Sequence, residues 1–335
     1  MKHKKIFLFL IVLFFILTIS VGSWKAYQSA LLPIDLMNNE KIIFKVEKGS
    51  STLQVAEKLE KEGFIKNSKI FSLYMRLNGF DNKIQAGSYE LSKSMAVPEI
   101  AAKLIKGEII SKTFTIPEGY NLKQIIKLLT EKGIVDKAKF EQALEKNYDY
   151  SFLNSVDKQK KGYLEGYLFP DTYRVGVDVT EEEIIKMMLN RFEEVVYKPF
   201  NSKVLEKGLS WHEVVTMASI VEREGKVEEE LPIIAGVFYN RLAKGWKLES
   251  CATVQYLLPE PKETLSLNDL KIDSPYNTYL NPGLPPGPIA SPGLSALKAA
   301  IEPADTDYMF FVANDDGTHT FSKTFDAHLS AKNER

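Results

Sequence analysis

Between Ser210 and Gly225 the chain reads Ser-Trp-His-Glu-Val-Val-Thr-Met-Ala-Ser-Ile-Val-Glu-Arg-Glu-Gly, and it places a carboxyl where a carboxyl is costly. Ser210 and Glu213 form an S-x-x-E capping box that predicts a helix start, and Gly225 suits a left-handed stop. At 100° per residue Trp211, Val215, Ala218 and Glu222 share a stripe flanked by Val214 and Val221, whereas Glu224 points almost the opposite way. Burial and the negative end of the helix dipole would both disfavour the Glu222 anion. A carboxyl held protonated near neutral pH is what a general acid requires. A Glu that snorkels to water or meets an arginine fits the same spacing, so the pattern alone leaves both readings open.

Other chemistries lack their residues. His212-Glu213-Val-Val-Thr216 begins like a zinc-protease helix but has Thr where the second His is needed. The four histidines and the single Cys251 show no ligand spacing, so no metal and no cofactor is expected. There is no nucleophile elbow, P-loop or dinucleotide fingerprint. A formal net charge of -1 gives no basic footprint for nucleic acid. Carboxylate acid catalysis remains.

The elements that must carry this acid begin with an apolar amino terminus. Ile6 to Trp24 holds no charge and spans roughly 28 Å as a helix, close to a bilayer's hydrocarbon thickness. Lys2, Lys4 and Lys5 precede it, and Trp24 and Tyr27 suit the far interface. A cleaved signal is the competing reading, but the apolar run is long for one and the small-residue site near Ser29–Ala30 is weak. The expectation is a single-pass anchor in the cytoplasmic membrane, amino end inside and the remainder on the extracytoplasmic side.

Two segments then repeat at an offset of 70 residues. Phe44-Lys-Val-Glu-Lys-Gly49 matches Phe114-Thr-Ile-Pro-Glu-Gly119, and Val55 to Ile65 matches Ile125 to Val135. Each copy predicts a strand, a Gly turn and a short amphipathic helix, followed by a second helix at Ser68–Leu77 or Lys137–Leu144. The first copy resembles LysM modules, which bind glycan; a plain α/β spacer fits equally. Gly87–Leu91 reads as a further strand and Val97–Lys106 as a further helix.

In the carboxyl-terminal half, the aromatic stretch Leu164 to Tyr173 could stack on sugar or pack internally. A helix from Pro232 to Gly245 puts Gly236 where another element can approach closely, and Asn240 on an apolar stripe. Seven of the 15 prolines lie between Pro275 and Pro303, which predicts a stiffened loop able to wall a cleft. Tyr308–Ala313 and His319–Ser322 read as a hairpin across Asn314–Gly317.

Taken in order, Glu165-Gly-Tyr-Leu-Phe-Pro-Asp-Thr-Tyr173, Ala218-Ser-Ile-Val-Glu-Arg-Glu224, Phe238-Tyr-Asn-Arg-Leu242, Ala252-Thr-Val-Gln-Tyr256, Ser274-Pro-Tyr-Asn-Thr-Tyr279, Gly283-Leu-Pro-Pro-Gly287 and His319-Thr-Phe-Ser322 resemble the YceG-like family of endolytic murein transglycosylases. The resemblance implies an α+β chain: a transmembrane helix, a small LysM-like α/β module and a larger mixed catalytic domain. The expected divisions are a cytoplasmic tail at 1–5, the anchor at 6–25, a linker at 26–40, the LysM-like module at 41–112 and the YceG-like domain at 113–332. Within that domain the second repeat occupies 113–150 and the catalytic core about 160–332. The family's acid is the first Glu of its Ile-Val-Glu motif, here Glu222. One departure is visible: Cys251 stands where many members have Asp, so a role for that Asp does not carry over.

The implied reaction cleaves the MurNAc–GlcNAc bond within peptidoglycan strands and leaves 1,6-anhydro-MurNAc ends, with Glu222 acting as acid and then base. Glu165, Asp171, Asn240, Tyr276, Asn277 and His319 are the candidates for holding sugar. The family's link to new strands implies penicillin-binding synthases as partners. Two rivals remain: a hydrolytic muramidase with Glu165 or Asp171 as second carboxylate, and a non-enzymatic wall-binding anchor.

Overall fold

The computed structural model describes residues 2–334, without the side chains of Lys2 to Lys5 and Leu8. The basic cluster expected before the apolar run therefore lies outside the described side chains. The chain divides into two compact units, Met1–Lys112 with Arg174–Val179, and Thr113–Tyr173 with Thr180–Arg335.

The first unit opens with α1 (Lys2–Leu31), in which Phe9–Leu31 is long and apolar enough to cross a membrane. Two of its hydroxyls bond within the helix, Thr18 donating to the Phe15 carbonyl and Ser20 to that of Ile16. The helix runs past residue 25, and Leu31 is buried in the unit's core with Tyr27 packed against it. The segment expected as a free linker is pinned: Asp35 N–H donates to the Lys93 carbonyl and Ser94 N–H to that of Asn38. There follow β1 (Ile42–Val46), α2 (Thr52–Lys61), α3 (Ser68–Leu77), β2 (Gly87–Leu91) and α4 (Val97–Lys106). β1 and β2 pair antiparallel, Phe44 opposite Tyr89, and the two helices close over them through Leu59, Phe64, Phe71 and Met75. A reciprocal Ser51–Gln54 box caps α2, and the Asn67 side chain caps α3.

β3 (Ser111–Thr115) pairs with a later strand, β4 (Thr172–Gly176). The second unit is mainly helical: α5 (Leu122–Glu131), α6 (Lys137–Leu144), α7 (Glu181–Phe192), α8 (Lys198–Glu206), α9 (Trp211–Glu224), α10 (Leu231–Ala243), α11 (Cys251–Leu257) and α12 (Leu294–Ile301). A hairpin of β5 (Phe310–Ala313) and β6 (His319–Ser322) and a last helix, α13 (Phe325–Asn333), complete it.

α9 is the central rod of this unit. Every residue from Val214 to Val221 is buried, so its environment is apolar all round rather than along one stripe. It packs most extensively on α12 and also meets α10 and α11. The Ser210–Glu213 capping box forms as expected. Gly225 does not take the left-handed conformation anticipated for it: its φ is -89°. The glycine is required for room, because a Cβ there would lie 2.4 Å from Leu231 Cδ2. Gly236 on α10 behaves as expected, with a Cβ position 2.6 Å from the Ala304 carbonyl oxygen. The aromatic stretch is packing: Tyr167 and Phe169 are buried, and Phe152, Tyr167, Phe192 and Trp211 form one stack that seats the start of α9.

Candidate active site

The proline-rich segment lies along α9 and is fastened to it at successive turns. His212 Nε2 and the Pro286 carbonyl are 2.9 Å apart, Ser219 Oγ accepts from Ile289 N–H at 3.0 Å, and Glu222 Oε2 accepts from Gly293 N–H at 3.0 Å. Proline stiffening suits this role, since a loop with few free dihedrals loses little entropy when pinned. A third piece of chain closes the end. Gly119 N–H donates to the Ser291 carbonyl and Ser291 N–H to that of Tyr120, which holds the Pro117–Tyr120 turn against the last turn of α9.

Glu222 sits at this junction, half-buried. Burial pushes its pKa up to about 7, the Glu118 carboxylate pushes the same way, and the Gly293 N–H and Arg223 oppose them. Burial is the largest of these effects. Glu118, which the sequence reading did not single out, is the charged neighbour of Glu222. The Glu118 carboxyl group lies over Gly293, against the position a Cβ would take. Two carboxylates thus share the amino end of α12, where backbone N–H groups favour negative charge. Glu224, two residues on, accepts from Ser250 Oγ and Ala252 N–H and so joins α9 to α11.

The six sugar-holding candidates separate into two groups. Glu165 and Tyr276 line one cavity of about 280 Å³ together with His212 and Pro286–Pro288. Glu165 is buried, accepts from Leu122 N–H at 3.0 Å and Tyr256 O–H at 3.2 Å, and is pushed up to about 7 by burial. Tyr276 stacks on Tyr256 with ring centroids 5.2 Å apart. The other four are occupied by protein partners. Asp171 pairs with Arg191 at 2.6 Å. The Asn240 amide donates to the Thr306 and Tyr308 carbonyls, and that of buried Asn277 to the Leu270 and Ile272 carbonyls. His319 is buried with Nδ1 2.7 Å from Glu230 Oε2, and its ring meets Phe311 edge-on. Membership of a motif drew attention to all six, but only side-chain direction separates a lining residue from a brace.

Cys251 opens α11 with its thiol 3.1 Å from the Tyr279 hydroxyl. No cluster of His, Cys, Asp or Glu able to hold a metal ion occurs among the described residues.

The candidate site is a rod-like helix with a half-buried carboxyl, clasped by a proline-rich segment. The chain belongs to the YceG-like family, whose pattern matches residues 44–334. It is 36% identical to the endolytic murein transglycosylase of Bacillus subtilis strain 168, over 93% of this chain and 89% of that one. The protein of the same name from Streptococcus pneumoniae D39 is 34% identical over 93% of this chain, which spans 62% of that longer relative. The 2.6 Å crystal structure of a yceG-like protein from Listeria monocytogenes superposes with a TM-score of 0.59 at 37% identity, covering 87% of this chain and 99% of that one.

Proposed function

We propose that this chain is a membrane-anchored lytic transglycosylase that cuts peptidoglycan strands internally, with Glu222 as its acid and then its base. The observation that carries the reading is the Glu222 carboxyl, half-buried and pushed up to about 7 where α9, Gly293 and the Glu118–Gly119 turn meet. Protonated Glu222 donates to the oxygen between N-acetylmuramic acid and N-acetylglucosamine as the C1–O bond breaks and an oxocarbenium-like sugar forms. The resulting carboxylate takes the proton of that sugar's 6-hydroxyl, whose oxygen closes on C1 as the 1,6-anhydro ring. The Gly293 N–H steadies the carboxylate between the two steps. The Glu165–Tyr276 cavity is assigned to a sugar unit of the strand, with the Tyr276 ring as an apolar wall and Glu165 as a polar floor.

α1 supports the single-pass anchor by its length and apolar composition, with the catalytic unit on the extracytoplasmic side. The β1–α2–α3–β2 order with antiparallel strands supports a LysM-like, glycan-binding role for the first unit. Penicillin-binding synthases are the partners that the proposed substrate, newly made strand, calls for.

A second reading is favoured by one observation: Glu118 places a second carboxylate beside Glu222, as a hydrolytic muramidase would require. Digesting purified glycan strands with the full chain in detergent and weighing the fragments decides between them. Anhydro ends support the transglycosylase. Reducing ends establish the hydrolase, and intact strands with retained binding leave only a wall-binding anchor.

A further inference from the structure

We propose that Glu165 is a positioning residue of the reaction, a buried acid that braces the Glu118–Tyr120 turn facing Glu222 against the tyrosine wall of the neighbouring cavity. This rests on the assignment of Glu222 as the acid.

The geometry has two ends. At one, Glu165 Oε1 accepts from the N–H of Leu122, the first residue of α5. Three residues earlier, Gly119 faces Glu222, whose Cγ is 3.7 Å from the position a Gly119 Cβ would take. That turn is clamped on its other side by the two hydrogen bonds to Ser291. At the other end, Glu165 Oε2 accepts from the Tyr256 hydroxyl, and Tyr256 stacks on Tyr276 in the cavity wall. One carboxyl therefore joins the place where substrate would lie to the turn that abuts the acid.

Helix capping alone does not call for a carboxyl. The box on α5, in which Asn121 accepts from Gln124 N–H and Gln124 from Asn121 N–H, leaves the Leu122 N–H to Glu165. A single buried N–H and a tyrosine hydroxyl can be satisfied by a neutral side chain, and a carboxyl buried this deeply is a costly choice for that purpose alone. The carboxyl is distinguished by two oxygens on one rigid plane, which bind two separate elements at a fixed spacing. Such bracing matters because small misplacement of a catalytic group has a large effect on rate.

The test is steady-state kinetics on purified glycan strands with the full chain. Glu165→Ala leaves both partners unpaired and is expected to lower kcat by about 10- to 100-fold with KM little changed. Glu165→Gln, whose oxygen can accept from Leu122 while its amide donates to the Tyr256 oxygen, is expected to restore most of kcat. Tyr256→Phe severs the tyrosine end alone and is expected to lower kcat by less than Glu165→Ala does. Should Glu165→Ala fail to fold, the other two variants carry the test. The proposal is overturned if Glu165→Ala keeps normal kcat, if its defect lies wholly in KM, or if Glu165→Gln and Tyr256→Phe differ from it in the reverse order. Glu222→Gln run in parallel separates the two claims: activity surviving there removes the acid assignment, whatever Glu165 does.

Discussion

The two repeated segments start from one template and end in different work. In the first copy the Phe44–Gly49 strand and turn complete a local core, with Phe44 buried and nothing within 4 Å of a Cβ placed on Gly49. In the second, Phe114 is likewise buried, but Gly119 is enclosed by Arg223 and Glu222. Both glycines are left-handed, at φ 80° and 74°, so the turn itself is unchanged. What differs is the residue before the glycine, Lys48 in one copy and Glu118 in the other, and what lies beyond it. A turn that ends a strand in one setting thereby positions an acid in the other.

The sharpest way to break the comparison is to remove the group that makes the second turn special. Glu222→Gln is expected to lower the rate of strand cleavage by about 10²–10⁴ while thermal unfolding stays close to the parent. Near-normal turnover in folded Glu222→Gln protein would sink the assignment.

Glu118→Gln comes next. Removing that negative charge lowers the Glu222 pKa, so the high-pH fall in activity should move to lower pH and turnover at neutral pH should drop several-fold. In the parent, activity should decline as pH rises through about 7, where Glu222 loses its proton. A profile unmoved by Glu118→Gln would show that the two carboxylates do not interact.

Paired glycine variants sharpen the contrast. Gly49→Ala and Gly119→Ala each place a side chain in left-handed backbone at roughly 1–2 kcal/mol. Only Gly119→Ala should lower kcat, since its methyl group would lie in contact with Glu222 and Arg223 whereas that of Gly49→Ala meets nothing. Equal kinetic effects from both would remove the distinction between the turns.

The smallest effect is on stability. Glu165 and Glu222 both titrate near 7 when folded, against 4.5 ordinarily, so the folded chain holds these protons more tightly. Their contribution is full below about 4.5 and is lost as pH rises through about 7. Urea midpoints should therefore fall over that interval, and Glu165→Gln should flatten the fall.

Much of the site was legible in the residues. The capped helix, its acid, the tightly approached Gly236 and the stiff proline segment are all local properties, set by propensity and by which dihedrals proline and glycine permit. Glu118 was not legible. It stands 104 residues before Glu222, in the second strand–turn–helix repeat and outside the expected catalytic core at about 160–332. The handedness of Gly225 was misjudged for a related reason: its neighbours are Leu231 and Ile234 on the next helix, not its own turn. Asp171, Asn240 and His319 carry sugar-compatible chemistry, yet their partners are carbonyls or charges 20 or more residues away in the chain, and Asn277 is held by carbonyls of its own loop.

The sequence by itself determined the apolar amino-terminal helix, the repeated strand–turn–helix units and the presence of an acid at the end of a buried helix, because hydrophobic spacing and capping act over a few residues. The tertiary structure decided that this acid has a second carboxylate beside it, that one of six candidate polar residues is a buried acid joining two elements, and that Gly225 is there for space. Those outcomes depend on which surfaces meet once the core closes, and burial and proximity, unlike propensity, have no expression in a single stretch of chain.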